Sequence, residues 1–536
     1  MKKIISIILC ALMLVSATVL FSACEQGEQG IQGERGEQGI QGIQGEQGVP
    51  GADGKDGKDG KDGKDGNTPE ITISDDGYWV INGQKTNVKA EAANAENPQQ
   101  LDFYPKDDGS YAVGVGNAKH LSTIIIPETY NGAPVTELTL EAFENCKSLT
   151  SITIPESVQS IGDSAFSGCT SLKKVYITDI AAWCNISFSS YSSNPLYYAK
   201  NLYLNGTLLT ELVIPDSVQS IGEFTFYNCQ SLASITIPES VQSIGYEAFY
   251  NCKSLTHVTI PDSVTSIGNY ALYNCTSLRE IYFNAKNMAD LSSSNYVFYK
   301  AGRSGEGIKV TIGKDVERIP TYLFYPYNDT SYSPKITEVI FEEDSVCTSI
   351  GDYAFYYCTS LTRVSIPDGA QSIGNCAFYY CTSLTHVSIP EGVQSIGNCA
   401  FSGCTSLESV TIPESVQSIG YSAFYNCQSL KSVTIPDSVQ SLGSSAFESC
   451  TSLKSVSIGN GVRIINNSVF HDCTSLESVS IPAGVTRIGG YAFYYCKSLK
   501  RINYAGTRTE WEAIDKDPEW DWGTLSFGVY CTDSNT

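Results

Sequence analysis

Cysteine is the reactive residue type with the most regular spacing in this 536-residue sequence, which contains 19 cysteines. Twelve of them recur every 23 residues within three runs, and we call them the frame cysteines: Cys146, Cys169, Cys229, Cys252, Cys275, Cys358, Cys381, Cys404, Cys427, Cys450, Cys473 and Cys496. A Phe stands three residues before eleven of them, and Leu272 takes that place before Cys275. A small side chain beside an aromatic ring is typical of a core layer, so we predict buried free thiols.

Cys376 and Cys399 differ from the frame cysteines, because each stands five residues before one of them and the two are 23 residues apart. Zinc binding by the resulting Cys-x4-Cys pairs is disfavoured, since the frame cysteines should face the core. If repeats stack as neighbouring strands about 4.8 Å apart, a disulfide between Cys376 and Cys399 is geometrically allowed. Stacked side chains are not automatically aimed at each other, so two separate thiols are the alternative.

The other residue types that catalysis would use are sparse. The sequence has only four histidines, His120, His257, His386 and His471. His257 and His386 each stand five residues after a cysteine, which predicts two outward positions far apart along the repeat array. Neither His-Glu-x-x-His nor Gly-x-Ser-x-Gly occurs. We therefore predict no catalytic residue, no cofactor and no metal site, and a protein that is not an enzyme.

Two acidic or glycine-rich segments resemble ligand sites only superficially. Residues 302–307 look like a phosphate loop, but Ile308 and Lys309 follow where the motif needs Lys and then Ser or Thr. The net charge of −23 disfavours nucleic acid as a partner. A patch near the C-terminus could bind a cation weakly or form a solvated surface: Asp515, Asp517, Glu519 and Asp521.

The elements that position these residues follow from the repeat itself, for which residues 406–427 serve as the example. Leu407, Val410 and Ile412 are spaced as Leu-x-x-Val-x-Ile, which predicts a strand with one buried face. Pro413 ends that strand because proline cannot donate to a ladder. Gly420 then permits a bend. One such unit cannot bury its own apolar face, whereas stacked units bury a continuous core.

This repeat resembles the BspA-like (Treponema-type) leucine-rich repeats of bacterial surface proteins over residues 101–510. The resemblance implies an α/β-type repeat solenoid that is right-handed and carries a parallel sheet on one face. It also implies a role in binding host extracellular matrix or plasma proteins, or other bacterial surface proteins, and no enzymatic activity. We expect irregular repeats at 175–213 and 281–350, where the cysteine frame breaks, and a C-terminal cap at 511–536.

The N-terminus has the pattern of an export signal. Lys2 and Lys3 precede an apolar stretch from Ile4 to Leu20. The following Phe-Ser-Ala-Cys24 resembles a bacterial lipobox, in which the cysteine is lipidated and becomes the mature N-terminus. We predict a lipoprotein signal peptide at 1–23 and a lipid anchor on Cys24. The protein would then lie on the extracellular face of the bacterial envelope and contact the membrane through its lipid alone.

A collagen-like Gly-X-Y segment follows at 24–68. Every third residue from Gly27 to Gly66 is glycine, fourteen without a break. Only glycine fits at the axis of three wound strands, so the pattern predicts a stalk and a homotrimer, with a flexible monomeric tether as the alternative. Residues 69–100 are expected to form a short hairpin and a linker, because two apolar runs flank Asp75-Asp76-Gly77.

Two repeated surfaces could bind a partner. The outward strand position, seven residues after the frame cysteine, carries hydroxyls at Thr153, Thr236, Thr259, Ser365, Ser388, Thr411, Thr434, Ser457 and Ser480. The position two residues before the frame cysteine carries what we call the tyrosine ridge: Tyr227, Tyr250, Tyr273, Tyr356, Tyr379, Tyr425 and Tyr494. Tyrosine is enriched at interfaces. The alternative is that the hydroxyls provide solubility and that the rings pack against the next repeat.

These observations favour a cell-surface adhesin or protein-binding lipoprotein that presents a solenoid on a collagen-like stalk. A carbohydrate-binding surface lipoprotein is the first alternative, because a row of hydroxyls beside tyrosines would suit sugars. A passive structural protein of the envelope is the second.

Overall fold

The computed structural model describes residues 71–73, 78–81, 84–89, 99–326 and 330–533. The chain divides into two units, Met1–Asp65 and Gly66–Thr536, and every described residue belongs to the second. The signal peptide and stalk predicted for residues 1–68 therefore lie outside the described residues.

Each repeat forms one coil of a parallel-sheet solenoid, which confirms the predicted fold class. A coil begins with a longer strand such as Ser409–Thr411, in which Val410 is buried and both of its neighbours are exposed. After Pro413 the chain bends into a two-residue strand, Ser418–Ile419, and then returns through a run of turns. The returning side is built from turns because Gly420 and the left-handed residues that follow it do not favour a helix.

The longer strands stack in register from coil to coil, as in the pairings of Val364 with Val387 and of Val387 with Val410. They form three sheets. The first contains Thr123–Ile125, Ser151–Thr153, Lys174–Ile177, Leu202–Leu204 and the antiparallel Thr207–Leu208. The second contains Glu211–Val213, Ser234–Thr236, His257–Ile260, Glu280–Phe283, Ile308–Ile312, Ile336–Phe341, Arg363–Ser365, His386–Ser388 and Ser409–Thr411. The third contains Ser432–Ile435, Ser455–Ile458, Ser478–Ile481, Arg501–Tyr504 and Gly528–Tyr530.

The two-residue strands form a second set of parallel ladders along the same coils. The strands are Ser220–Ile221, Ser243–Ile244 and Ser266–Ile267; then Arg318–Ile319, Ser349–Ile350, Ser372–Ile373, Ser395–Ile396, Ser418–Ile419 and Ser441–Leu442; then Ile464–Ile465, Arg487–Ile488 and Asp515–Lys516. The second residue of each of these strands, except Lys516, is apolar and buried, so each coil is closed around one core.

Antiparallel strands begin the described part of the solenoid. Asp102–Pro105 pairs antiparallel with Tyr111–Gly114, which in turn pairs with Ala133–Leu138 in a sheet that continues to Ser160–Ile161 and Ser187–Phe188. Thr129–Tyr130 folds back on the same sheet, and the Tyr130 ring stacks on Phe103 at 3.9 Å between centroids. A separate three-stranded antiparallel sheet precedes this region, formed by Ile71–Ile73, Tyr78–Ile81 and Gln84–Lys89. The third of these strands was not foreseen from the sequence.

The helices of the described residues lie at the start of the repeat region, where the cysteine frame breaks, and near the C-terminus. They are the α-helices Ile180–Cys184, Leu196–Ala199 and Arg508–Ala513 and the 3-10 helices Gly116–His120 and Thr330–Tyr332. The helix Ile180–Cys184 is capped by Asp179, whose side chain accepts from the Ala182 N–H at 2.6 Å, and it buries Trp183. Because Lys174–Ile177 and Leu202–Leu204 still pair in parallel around it, this irregular segment remains a coil of the solenoid.

A ladder of phenylalanine rings and cysteine thiols fills the core. Successive rings stack at 5.3 Å between Phe378 and Phe401 and at 5.4 Å between Phe401 and Phe424, and all three are fully buried. Nine of the twelve frame thiols donate to the carbonyl of the Phe in the preceding coil, as from Cys404 to Phe378 and from Cys427 to Phe401 at 3.3 Å. All twelve frame cysteines are buried free thiols, which confirms the prediction for them.

Candidate binding surface

The turn segment of each coil orders its side chains into columns. The residues five before and one before the frame cysteine adopt left-handed backbone angles, with φ of 52° at Cys376 and 55° at Tyr380. The backbone N–H groups of this segment donate to carbonyls of the next coil, as from Tyr380 to Ser402 at 2.7 Å. Equivalent side chains therefore stand one coil apart along the solenoid.

The tyrosine ridge is one of these columns and consists largely of stacked rings. Tyr227 and Tyr250 lie 4.8 Å apart between centroids, and Tyr250 and Tyr273 lie 4.6 Å apart, with ring planes within 6°. Tyr356 and Tyr379 stack in the same manner at 4.9 Å. The structure thus brings these five predicted residues into two continuous stretches of ring-on-ring contact.

Three tyrosines that the sequence analysis missed continue the ridge through the irregular repeats. Tyr299 lies 5.6 Å from Tyr273 and 4.8 Å from Tyr332, and Tyr325 lies 5.1 Å from Tyr356. No frame cysteine stands between Cys275 and Cys358, so ridge positions in that segment could not be found by counting back two residues from a frame cysteine. The dipeptide Phe-Tyr was the available signal, because a Phe precedes Tyr299 and Tyr325 as it precedes most of the ridge.

The ridge is interrupted at Ser402, between Tyr379 and Tyr425, and a neighbouring column closes the gap. Ser402 is buried, and the following Gly403 has a φ of 75°. A Cβ at Gly403 would lie 2.5 Å from a carbon of the Tyr380 ring, so that ring packs directly over the glycine. Both the backbone angle and the ring require glycine there.

A hydrogen-bonded acid–base pair takes the place of two tyrosines between Tyr425 and Tyr494. His471 Nδ1 lies 3.0 Å from Glu448 Oε1, and the imidazole lies 4.8 Å from the Tyr494 ring. The hydrogen bond to Glu448 raises the pKa of His471 above its usual value. This end of the ridge therefore carries a polar contact that titrates.

The ridge rings are mostly half-buried, because each face covers the ring of a neighbouring coil. Burial raises the pKa of Tyr250 to about 12 and also raises the pKa of Tyr356 and of Tyr379. These phenols stay neutral at physiological pH and keep both a donor and acceptor capacity. The ring faces can therefore pack against neighbouring coils while the exposed part of each tyrosine contacts a ligand.

The outward strand hydroxyls line the long-strand sheets in register. The in-register neighbours are Ser365, Ser388 and Thr411 in the second sheet and Thr434, Ser457 and Ser480 in the third. Thr153 pairs with Tyr176, Thr236 with Val213, and Thr259 with Tyr282. The hydroxyl column is therefore continuous only in the C-terminal part of the solenoid.

A column of ionisable residues lies two positions earlier on the same sheet face. It runs His257, Glu280, Lys309, Glu338, Arg363 and His386, and the four acidic and basic residues between the two histidines alternate in sign. Opposite charges on neighbouring strands contribute about 0.2–1 kcal/mol per pair. His257 and His386 stand at opposite ends of this column, far apart along the solenoid as their sequence positions predicted. Counting from the frame cysteines does not reveal this column, because three of its members lie in or next to the irregular repeats.

Cys376 and Cys399 lie on neighbouring coils as partly exposed free thiols. Cys24 lies outside the described residues, so its lipidation remains a prediction.

The acidic patch near the C-terminus is partly neutralised. Arg487 contacts Asp515 at 3.6 Å and Asp517 at 3.2 Å. Within the described ranges, no group of three or more His, Cys, Asp or Glu side chains is arranged to hold a metal ion. The same ranges contain no helix with the length and apolarity needed to cross a membrane.

Comparison with known proteins places this geometry in a family. The model described as "BspA type Leucine rich repeat region (6 copies)" matches residues 116–203, 197–331, 327–432 and 398–513. The model described as "Collagen triple helix repeat (20 copies)" matches residues 22–71. No curated protein matches the chain significantly.

Solved structures of leucine-rich repeat proteins are similar to this chain. A leucine-rich repeat protein from Bacteroides ovatus is 28% identical, with a TM-score of 0.54, and the match covers 80% of this chain and 98% of that one. A leucine-rich cell surface protein from Faecalibacterium prausnitzii is 24% identical, with a TM-score of 0.32 and coverage of 84% and 99%. The family match spans most of the chain and coincides with the coils described above. The chain belongs to the BspA-type leucine-rich repeat family.

Proposed function

We propose that this protein is a cell-surface adhesin that binds extended protein ligands along its tyrosine ridge. A leucine-rich repeat solenoid is typically a binding scaffold, and the family resemblance favours host matrix or plasma proteins, or other bacterial surface proteins, as partners. The ridge is the observation that carries the proposal.

The geometry of the ridge suits a long, shallow interface. Ring centroids repeat at 4.6–5.6 Å over Tyr227, Tyr250, Tyr273, Tyr299 and Tyr332. Stacking fixes the side-chain rotamers, so little conformational entropy is lost when a ligand covers them. Neutral phenols beside ring edges offer apolar area and hydrogen bonds together, the combination for which tyrosine is enriched in protein-binding surfaces.

Attachment to the cell is the second part of the proposal. A lipid on Cys24 would fix the chain to the envelope, and a Gly-X-Y stalk at 24–68 would hold the solenoid away from it. If the stalk forms a homotrimer, three ridges share one base and a second contact becomes intramolecular. Avidity of this kind exceeds single-site affinity by roughly 10²–10⁴ without any new contact.

Sugar binding is the competing function, and the hydroxyl column favours it. Ser365, Ser388 and Thr411 present hydroxyl groups on neighbouring strands of an exposed sheet face. A glycan could hydrogen-bond along that row. This surface lies on the strand side of the same coils, so substitutions can separate it from the ridge.

The test combines an unbiased capture with a glycan array. The protein is immobilised and exposed to serum and to solubilised matrix, and the retained proteins are identified by mass spectrometry. The same protein is applied to the array. We expect discrete matrix, plasma or bacterial surface proteins to be retained and the array to remain blank. Retention of no such protein, together with specific glycan signals, would move the sugar-binding function into first place.

Two matched triple variants assign the surface. The ridge variant carries Tyr356→Ser, Tyr379→Ser and Tyr425→Ser, and the sheet variant carries Ser365→Ala, Ser388→Ala and Thr434→Ala on the strands that directly follow those three tyrosines in the chain. Protein capture should fall in the first variant and persist in the second, provided that both retain the circular dichroism of the parent. The reverse pattern would place binding on the strand face.

A further inference from the structure

We propose that Cys376 and Cys399 form a reactive dithiol that closes to a disulfide between two neighbouring coils when it meets an external disulfide. The inference is independent of the adhesive function, because it concerns the chemistry of the two thiols and not the ligand of the ridge.

Exposure separates these two residues from the other cysteines. Of the 17 cysteines that the structure describes, 15 are buried, and Cys376 and Cys399 are the two that are partly exposed. The frame cysteines of the same coils, Cys381 and Cys404, are fully buried and donate to phenylalanine carbonyls at 3.3 Å. Thiol–disulfide exchange requires access to the sulfur, so the exposed pair can react while the frame cysteines cannot.

Register brings the pair together. Each follows a Gly-Asn dipeptide and adopts a left-handed φ, of 52° at Cys376 and 54° at Cys399. The N–H of Cys376 donates to the carbonyl of Asn398 at 2.8 Å, and the N–H of Cys399 donates to that of Tyr421 at 2.7 Å, so the two backbones are offset by one coil. The rings of Phe378 and Phe401, two residues further along each coil, stack with their centroids 5.3 Å apart, so the two coils are directly adjacent here. Neighbouring parallel strands lie about 4.8 Å apart, a spacing inside the range of about 4.4–6.8 Å found between the Cα atoms of disulfide partners.

The two side chains also contact each other directly. The Cys376 thiol donates a hydrogen bond to the Cys399 sulfur, which lowers the pKa of Cys399 and raises that of Cys376. Ionisation of one thiol is therefore stabilised by the hydrogen bond from the other. Tyr353 on the preceding coil contacts Cys376 from the other side, so the pair is held between its neighbours in the column.

The reaction is an exchange with a small-molecule disulfide. The Cys399 thiolate, having lost its proton to solvent, attacks one sulfur, the external S–S bond breaks, and one small thiolate leaves and is protonated. The Cys376 thiolate then attacks the Cys399 sulfur of the mixed disulfide and releases the second small thiol. The protein loses two hydrogen atoms and two electrons, and the external disulfide is reduced to two thiols.

The test uses the full protein and oxidised glutathione as the probe. After exposure, the protein is denatured, its free thiols are alkylated, and the digest is analysed by mass spectrometry. We expect one cross-linked peptide pair joining Cys376 to Cys399, with Cys381 and Cys404 fully alkylated as internal controls. Cys376 and Cys399 alkylated to the same extent as the controls would overturn the proposal, as would a link between two chains.

Single-serine variants keep the test decisive. Serine occupies the same left-handed position in the following coils, with a φ of 50° at Ser422 and 56° at Ser445, so Cys399→Ser and Cys376→Ser are expected to fold. Each variant should stop at a mixed disulfide with glutathione on the remaining cysteine, which the parent protein resolves. A persistent mixed disulfide in the parent would show that the two sulfurs do not reach each other.

Discussion

Truncation of a single ring in the phenylalanine ladder tests whether the coils are held by their shared core. Phe401 is fully buried, and its ring contacts those of Phe378 and Phe424 at 5.3 and 5.4 Å. Phe401→Ala removes both contacts and leaves a cavity between two coils. Substitutions of this kind cost about 3–5 kcal/mol, and we expect about 4 kcal/mol because both faces of the ring are lost.

Hydrogen exchange can locate that loss, because a solenoid couples each coil mainly to its neighbours. The N–H of Phe378 donates to Ala400 and the N–H of Phe401 donates to Ala423, both at 2.8 Å. A loss of 4 kcal/mol should speed exchange of these amides by roughly 10³-fold. The amide of Phe249, which donates to Ala271 at 2.8 Å in a distant coil, should be little affected.

A conservative substitution provides the control. Leu272 fills the same slot in its own coil and is fully buried, and its N–H still donates to the next coil at 3.0 Å. Phe401→Leu should therefore cost only about 1–2 kcal/mol. If Phe401→Ala costs less than about 1 kcal/mol, or if exchange speeds up equally in every coil, the reasoning about a locally coupled core is wrong.

Three further outcomes are expected. Cys24→Ala should abolish acylation and release the protein from the membrane fraction, and unchanged detergent-phase partitioning would argue against the lipid anchor. Residues 25–100 should give a collagen-like circular dichroism signal and a trimeric mass in the cold, whereas a monomer at every temperature would reduce the stalk to a tether. Because Glu448 raises the pKa of His471, their contact should stabilise the fold fully below about pH 6.5 and progressively less as pH rises through the folded-state pKa. Glu448→Gln should thus destabilise more at about pH 5.5 than at about pH 8.5 in urea unfolding, and an equal effect at both would exclude the linkage.

The regular coils were predictable because one physical constraint repeats in them. The apolar spacing of Leu407, Val410 and Ile412, the strand-ending Pro413 and the paired Phe and Cys all serve one requirement, a flat layer that stacks on its copy. Those residue types therefore recur at fixed intervals, and the positions of the frame cysteines and of most ridge tyrosines followed by counting.

Counting residues from the frame cysteines did not predict the structure of the segments where the cysteine frame breaks. It also did not predict the backbone angles of the turns. The helix Ile180–Cys184 and the ridge residues Tyr299 and Tyr325 lie where no frame cysteine gives a reference. The left-handed angle five residues before the frame cysteine is adopted by residues as different as Tyr353 and Cys376, because hydrogen bonds to the next coil impose it. Residue type alone does not reveal such an angle outside glycine and asparagine.

The contact between Cys376 and Cys399 is another feature that spacing in the sequence could not predict. Spacing placed them one repeat apart, which allowed a disulfide but did not aim the two side chains at each other, so two separate thiols remained the alternative. Their partial exposure depends on how far from the core the turn places the residue five positions before the frame cysteine. Only the folded coil determines that placement.

The central claim, that the tyrosine ridge is the protein-binding surface, is tested most directly by equilibrium binding of a captured ligand to the parent and to the variant with Tyr356→Ser, Tyr379→Ser and Tyr425→Ser. Three half-buried interface tyrosines should together weaken binding at least about 100-fold, since loss of a single anchor commonly costs more than about 1 kcal/mol. Amide protection in the core coils should remain, as between Phe249 and Ala271. Unchanged affinity in a variant that is still folded would contradict the account.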